Sequence, residues 1–372
     1  MKSLILSLFI LLAFKTMSAQ KTIFFTGTNN SEEINSIVVC EIDEVNSDMQ
    51  IIKKIPGGVR PGYIAISNDR NFLYAVSGEK FEGNSKHNIL NAFKIEKNTW
   101  DLTYLNSQSS FGSNPCHISL NPTNDLLFTA NYSSGGISAY HINNDGKIGE
   151  ATSIIQHEGS GPDLSRQEGP HAHYINTSID GNYVYATDLG TDKVMIYSLN
   201  KDGYLIPNKA QEYLQLSPGS GPRHMAFHKN KQFVFVLNEL NYEVVSCLYD
   251  SSNGKLTIID QHKTIDDNFK GENTSAAIHI HPNGKYLYCS NRGENSISVF
   301  KIKEDGKLSK VQVFTEGLGI VRDFNLDPSG KFLVAGNQRT GEIILLKVAK
   351  NGLLSSTGKV LNVVKPTCVV FF

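Results

Sequence analysis

The chain predicts an all-β fold, a seven-bladed propeller of four-stranded antiparallel blades, closed by the C-terminal strand joining the N-terminal blade. Two observations carry this expectation. One phrase recurs six times: a short apolar strand, a turn, and a second apolar strand, of which Phe72-Leu73-Tyr74-Ala75, Tyr183-Val184-Tyr185-Ala186 and Tyr286-Leu287-Tyr288-Cys289 are examples. Aligned on Leu73, Leu127, Val184, Val234, Leu287 and Leu333, the copies repeat at about 50 residues, the period of a propeller blade. The second observation is that the two ends complement each other. Residues 22 to 55 supply three strands of a blade, and Pro366 to Phe372 supply an isolated first strand. Joining them removes two exposed sheet edges.

Within each copy the first two strands are split by Asn, Asp, Gly or Pro, as in Pro282-Asn283-Gly284-Lys285, residues that supply the fixed or positive φ of a hairpin. An alternating third strand follows, such as Ile297 to Ile302. A glycine turn then leads to a weaker outer strand: Asp145-Gly146-Lys147, Asp202-Gly203, Asn253-Gly254-Lys255, Asp305-Gly306-Lys307 or Asn351-Gly352. No helical stripe interrupts the pattern.

The first 19 residues differ. Lys2, an apolar run from Leu4 to Phe14 and the small pair Ser18-Ala19 read as a cleaved export signal before Gln20, too short for a membrane span of about 20 residues. The expected organisation is a signal peptide over 1–19 and one propeller domain over 20–372, periplasmic or secreted, with no stable membrane insertion of the mature chain. A net charge of -1 over 372 residues offers no basic surface for nucleic acid. Five widely spaced cysteines point to buried free thiols rather than a disulfide framework.

In an antiparallel blade the start of the first strand and the end of the second lie at one mouth of the central channel. Strand two ends in Ser77, Asn131, Asp188, Asn238, Asn291 and Asn337, a turn-capping pattern. The next position varies: Gly78, Tyr132, Leu189, Glu239, Arg292 and Gln338, with opposite charges in two neighbouring repeats. Entry to strand one brings His173, Arg223 and Arg322 to the same mouth. Several charges in a desolvated funnel are costly unless paired or functional. The pairs His171-x-His173 and His279-x-His281 could present imidazoles to a metal, but packing and turn roles suffice and no metal site is expected.

Three strings carry a family resemblance. They are Arg166-Gln167-Glu168-Gly169-Pro170-His171-Ala172-His173 with Asp188-Leu189-Gly190-Thr191-Asp192; Gly221-Pro222-Arg223-His224-Met225-Ala226-Phe227-His228 with Asn238-Glu239-Leu240; and His279 to Tyr288 with Asn291-Arg292. The chain resembles the seven-bladed propeller lactonases, which include 6-phosphogluconolactonases and are similar to carboxymuconate lactonizing enzymes. The resemblance implies hydrolysis of a sugar-type lactone, a carboxylic ester, without a cofactor. It implies a site of His173, Arg223, Glu239 and Arg292, with Glu239 as base, the arginines as oxyanion or carboxylate binders and His173 completing proton transfer. His171, His224, Arg322 and Asn131 are candidate substrate contacts. A non-catalytic propeller binding an acidic ligand, and a muconate-type cycloisomerase, would use the same residue types.

Overall fold

The computed structural model describes residues 21–31, 35–78 and 88–372. The proposed signal peptide lies outside the described residues. Seven sheets form the ring. Blade 1 is assembled from both termini, in the order Pro366–Phe371, Lys21–Thr28, Ile37–Asp43 and Asp48–Ile55 from the channel outward. Blades 2 to 7 follow in chain order, their innermost strands being Ile64–Ile66, Pro115–Leu120, Ala172–Thr177, Pro222–Phe227, Thr274–Ile280 and Val321–Leu326. All six repeated apolar segments are the second strands of their blades, as the period predicts. The pairing is antiparallel throughout, and the described residues include no α-helix.

One blade departs from the expected single outer strand. In blade 4, Leu205–Pro207 and Tyr213–Gln215 both pair with Lys193–Leu199, so its edge is split by an intervening turn. Pro207 donates no backbone hydrogen bond, which limits continuation of the ladder at that point.

The core is distributed between blades. Each neighbouring pair shares one apolar cluster; blades 5 and 6, for example, bury Phe233, Phe235 and Val244 against Leu287, Cys289 and Phe300. The contact of blade 7 with blade 1 is built the same way, from Phe332, Val334 and Leu345 against Phe24, Val38 and Val369. The ring therefore has no weak seam.

Two features of the repeat lock together across blades. The glycine of the outer turn has positive φ, +83° at Gly146 and +79° at Gly352. A Cβ there would lie 2.2 Å from Phe72 or 2.5 Å from Tyr286, the aromatics that open strand two of the preceding blade. Two residues on, Tyr74 and Tyr288 donate to the carbonyls of Gly146 and Gly352 at 3.0 and 2.8 Å. Glycine is thus required both for turn conformation and for close approach of a ring. All five cysteines are free. No helix of the described residues is long and apolar enough to cross a membrane.

Candidate active site

In blades 3, 4, 6 and 7 the Asn or Asp that ends strand two ties the blade to the loop that enters it. Asn131 donates to the Ser110 carbonyl at 3.0 Å, Asn291 to that of Thr264 at 2.9 Å, and Asn337 accepts from the Gly319 amide at 2.9 Å. Asn131 is fully buried in this role. Here it ties the loop to the blade, while its Oδ1 makes no hydrogen bond.

The following position carries the charge. Glu239, after strand two of blade 5, is 5% exposed and surrounded by three guanidiniums. Its Oε1 accepts from Arg166 Nη2 at 2.6 Å; its Oε2 accepts from Arg223 Nε at 3.0 Å and forms an ion pair with Arg292 Nη2 at 2.9 Å. Burial alone would raise its pKa, but Arg292 and Arg223 overcome it, and Glu239 is held well below the usual carboxylate range. Arg223 is itself 2% exposed, with Nη1 donating to the Ala276 carbonyl at 2.5 Å. Burial, with Arg292 and Arg322 nearby, pulls it down to about 9, still cationic at neutral pH. Charge-assisted contacts of this kind are short and directional.

Arg292 also donates to the Ser275 carbonyl at 3.1 Å, yet its Nε is buried without a partner. It lines, with Arg166, Tyr242 and Arg339, a cavity of about 730 Å³ on one side of the cluster. Arg322 lines a second cavity of about 370 Å³ on the other side, with Arg60, Cys116 and Gln338. Burial and the neighbouring Arg292 lower the pKa of Arg322.

His173 lies beneath the guanidinium layer, 4% exposed, its ring 5.5 Å from Tyr132 and 5.3 Å from His224. Its Nδ1 has no partner. His224 continues inward into a layer of rings with His117, Tyr63 and Tyr174, and so lies below the cluster rather than at its surface. His171 stacks on Tyr132 at 4.6 Å and shares its Nδ1 with the Tyr132 carbonyl at 2.9 Å, so it braces the Tyr132 loop.

Arg166 is the member of the guanidinium cluster that strand register misses, because it sits on the long loop between blades 3 and 4. Its placement depends on a second network that register also misses. Asp192 accepts from the Gly219 and Gly221 amides, each at 2.7 Å, and from Gln167 Nε2 at 2.7 Å. One carboxylate therefore pins the residue beside Arg166 to the turn leading into Arg223. Gly221 completes that turn with φ +59°; a Cβ there would be 2.5 Å from Leu240 Cγ. Both Arg166 and Asp192 lie within the first quoted string, and only their offset from the strands concealed them. His279 and His281, the other histidine pair, separate: His281 Nε2 meets the Gly330 carbonyl at 2.9 Å, whereas His279 faces the channel near Asp323.

The buried imidazoles set a pH dependence. Burial first, then the charge of Arg223, lowers His117 to about 3 and holds His173 and His224 well below 6.5. Unfolded imidazoles take up protons below about 6.5 and these three do not, so their contribution is complete above that pH and is lost as pH falls. Unfolding free energy should fall between pH 6.5 and 5 with a slope approaching about 4 kcal/mol per unit, three imidazoles at about 1.4 each. Urea titrations at pH 7.5, 6.5 and 5.5 check this. A stability unchanged across that range would mean that the three are protonated in the fold.

The match to known proteins covers the whole ring. Residues 23–371 fit the family described as "Lactonase, 7-bladed beta-propeller". Among curated relatives, the 6-phosphogluconolactonase of Bacillus subtilis is 36% identical over 82% of this chain and 85% of its own length. That of Formosa agariphila is 30% identical over 74% of this chain and 77% of its own. A crystal structure from Bacteroides fragilis, 31% identical, superposes with a TM-score of 0.86 over 96% of this chain and 99% of that one. With its fold, its motifs and its length all matched, the chain belongs to the family of seven-bladed β-propeller lactonases.

Proposed function

We propose that the protein hydrolyses a sugar-type lactone of the 6-phosphogluconolactone kind. The observation that carries this reading is Arg292: a guanidinium fixed by Glu239 and Ser275, with an unpartnered Nε, at the wall of a cavity large enough for a sugar ring. Opening a lactone requires a donor for the carbonyl oxygen as it becomes anionic, and a group that takes a proton from water and returns one to the leaving alkoxide. Arg292 supplies the first, with Arg322 drawing an acidic substituent from the adjoining cavity.

The base role passes from Glu239 to His173 in this reading. A carboxylate held by three guanidiniums is a fixed anion and a poor proton acceptor. Glu239 instead aligns the arginines, and its remaining lone pair can orient the attacking water. Burial and Arg223 lower the basicity of His173 too, but it is neutral and its Nδ1 is unpartnered, so it is the group in the cluster with a free position for the proton. The leader-like segment over 1–19 argues that the chain acts outside the cytosol, periplasmic or secreted, so lactones with and without a phosphate both belong in the test.

The test is proton release by the purified mature protein on a panel of phosphorylated and unphosphorylated δ-lactones. Arg292→Ala should lower turnover by about 10²- to 10³-fold, the scale for loss of one oxyanion donor. Arg339→Ala, on the same cavity but making no ion pair with Glu239, should change it little. Equal losses in both variants, or none in either while a lactone is still opened, would place the chemistry elsewhere.

A further inference from the structure

The channel has a second opening, on the face away from the guanidinium cluster. There a cavity of about 690 Å³ is lined by the inner strands of all seven blades, among them Ile64, Ile118, Tyr174, Met225, Ile278, Asp323 and Val369. The layer of Tyr63, His117, Tyr174 and His224 rings forms its floor, with successive centroids 4.4 to 5.6 Å apart. Its walls mix aliphatic side chains with Asn, Ser and Thr, and no Lys, Arg or Glu lines it.

Two buried polar atoms at this end of the channel make no hydrogen bond. Asp323 is 3% exposed; its Oδ2 accepts from the Val369 amide at 2.9 Å, but Oδ1 has no hydrogen bond, with His279 Nε2 at 3.5 Å. His224 is 5% exposed, and its Nε2 is likewise unpartnered. A buried carboxylate oxygen left unpaired is costly, and most such atoms in folded proteins are satisfied. Asp323 is the sole carboxylate among the lining residues, set beside aromatic faces that attract a cation through their quadrupoles.

We propose that this opening is a second binding site, for an organic ammonium ion with an apolar body, its N–H groups donating to Asp323 Oδ1 and its body lying against Ile66, Ile280 and the ring floor. The two ends of one channel then select opposite charges: anions at the guanidinium cluster, cations at Asp323. This site is independent of the reaction proposed above and would stand if that reading failed.

Benzylammonium, with benzyl alcohol as its neutral counterpart and benzoate as its anionic one, tests the proposal by calorimetric titration of the intact protein at pH 8, above the ordinary range of imidazole titration. Benzylammonium should bind at least about tenfold more tightly than the alcohol, a difference that attraction to one buried carboxylate supplies, and benzoate should not bind there. Asp323→Asn retains an oxygen for the Val369 amide and should weaken benzylammonium binding by a similar factor. Ile66→Lys, which tethers an ammonium within the cavity, should abolish it while leaving a cooperative melt. Equal affinity for amine and alcohol, undiminished binding in both variants, or no heat with benzylammonium would each overturn the assignment.

Discussion

Glu239→Gln should cost the protein about 3–5 kcal/mol of stability and most of its lactone turnover, although it removes no volume from the fold. Three guanidiniums converge on this carboxylate, and among the described residues no other carboxylate pairs with any of them. Glutamine would leave Arg223 charged and 2% exposed without a counter-ion, and would aim an amide donor at guanidinium donors. Arg292 would lose one of its two anchors, so turnover should fall by about 10²-fold or more. The double variant Glu239→Gln, Arg223→Met should be less destabilised than the two single effects added together, because the second change removes the charge that the first orphans. The pH dependence has a definite sign. The Glu239 pKa is depressed from 4.5 in the fold, so its contribution is present above about 4.5 and is lost as pH falls below it, narrowing the gap between wild type and variant. Chemical denaturation at pH 7 and pH 4 measures both. A Glu239→Gln protein as stable as wild type at pH 7 would mean that the guanidiniums find water instead, and that the cluster is an exposed mouth rather than a clamp.

Much of this was legible in the sequence because a propeller writes its geometry as a period. Once Leu73 to Leu333 are aligned, register alone places Arg223, Glu239 and Arg292 at one mouth, and the structure brings those three into contact. Register gives position along a strand but not what a side chain meets. It cannot separate Glu239, which points into the channel mouth, from Asn131, one place earlier in its own blade and turned onto the Ser110 carbonyl. Nor can it reach a loop. Arg166 and Asp192 act through contacts between segments far apart in the repeat, and no spacing encodes them. His171 and His173 part for a related reason: two histidines one residue apart share a strand face only in a regular ladder, and the register between blade 4's first two strands shifts between Ala172 and Tyr174.

Deleting Lys365 to Phe372 should abolish the cooperative fold. These residues form the innermost strand of blade 1, paired with Lys21–Thr28 from Phe24 opposite Phe371 to Thr28 opposite Pro366. They bury Cys368 and Val369 almost completely, and set Phe371 against Phe24 at 5.7 Å and Phe372 against Trp100 at 5.1 Å. The Thr26 hydroxyl donates to the Cys368 carbonyl at 2.8 Å, and the Val369 amide to Asp323. Full burial of a large apolar side chain contributes about 1.5–3 kcal/mol, and the loss of buried Val369 with half-buried Val370, Phe371 and Phe372 removes a large part of the 5–15 kcal/mol that keeps an ordinary domain folded. The deletion also bares the edge of Lys21–Thr28, whose unpaired amides and carbonyls would recruit other chains. The truncated protein should therefore elute as aggregate and melt broadly, and removing Phe371 and Phe372 alone should give a smaller, still cooperative loss. A synthetic peptide of residues 364–372 added during refolding should restore part of the cooperative transition, since the pairing needs the strand but not its covalent link to blade 7. A truncated chain with the wild-type midpoint and cooperativity would show that the ring closes through some other contact.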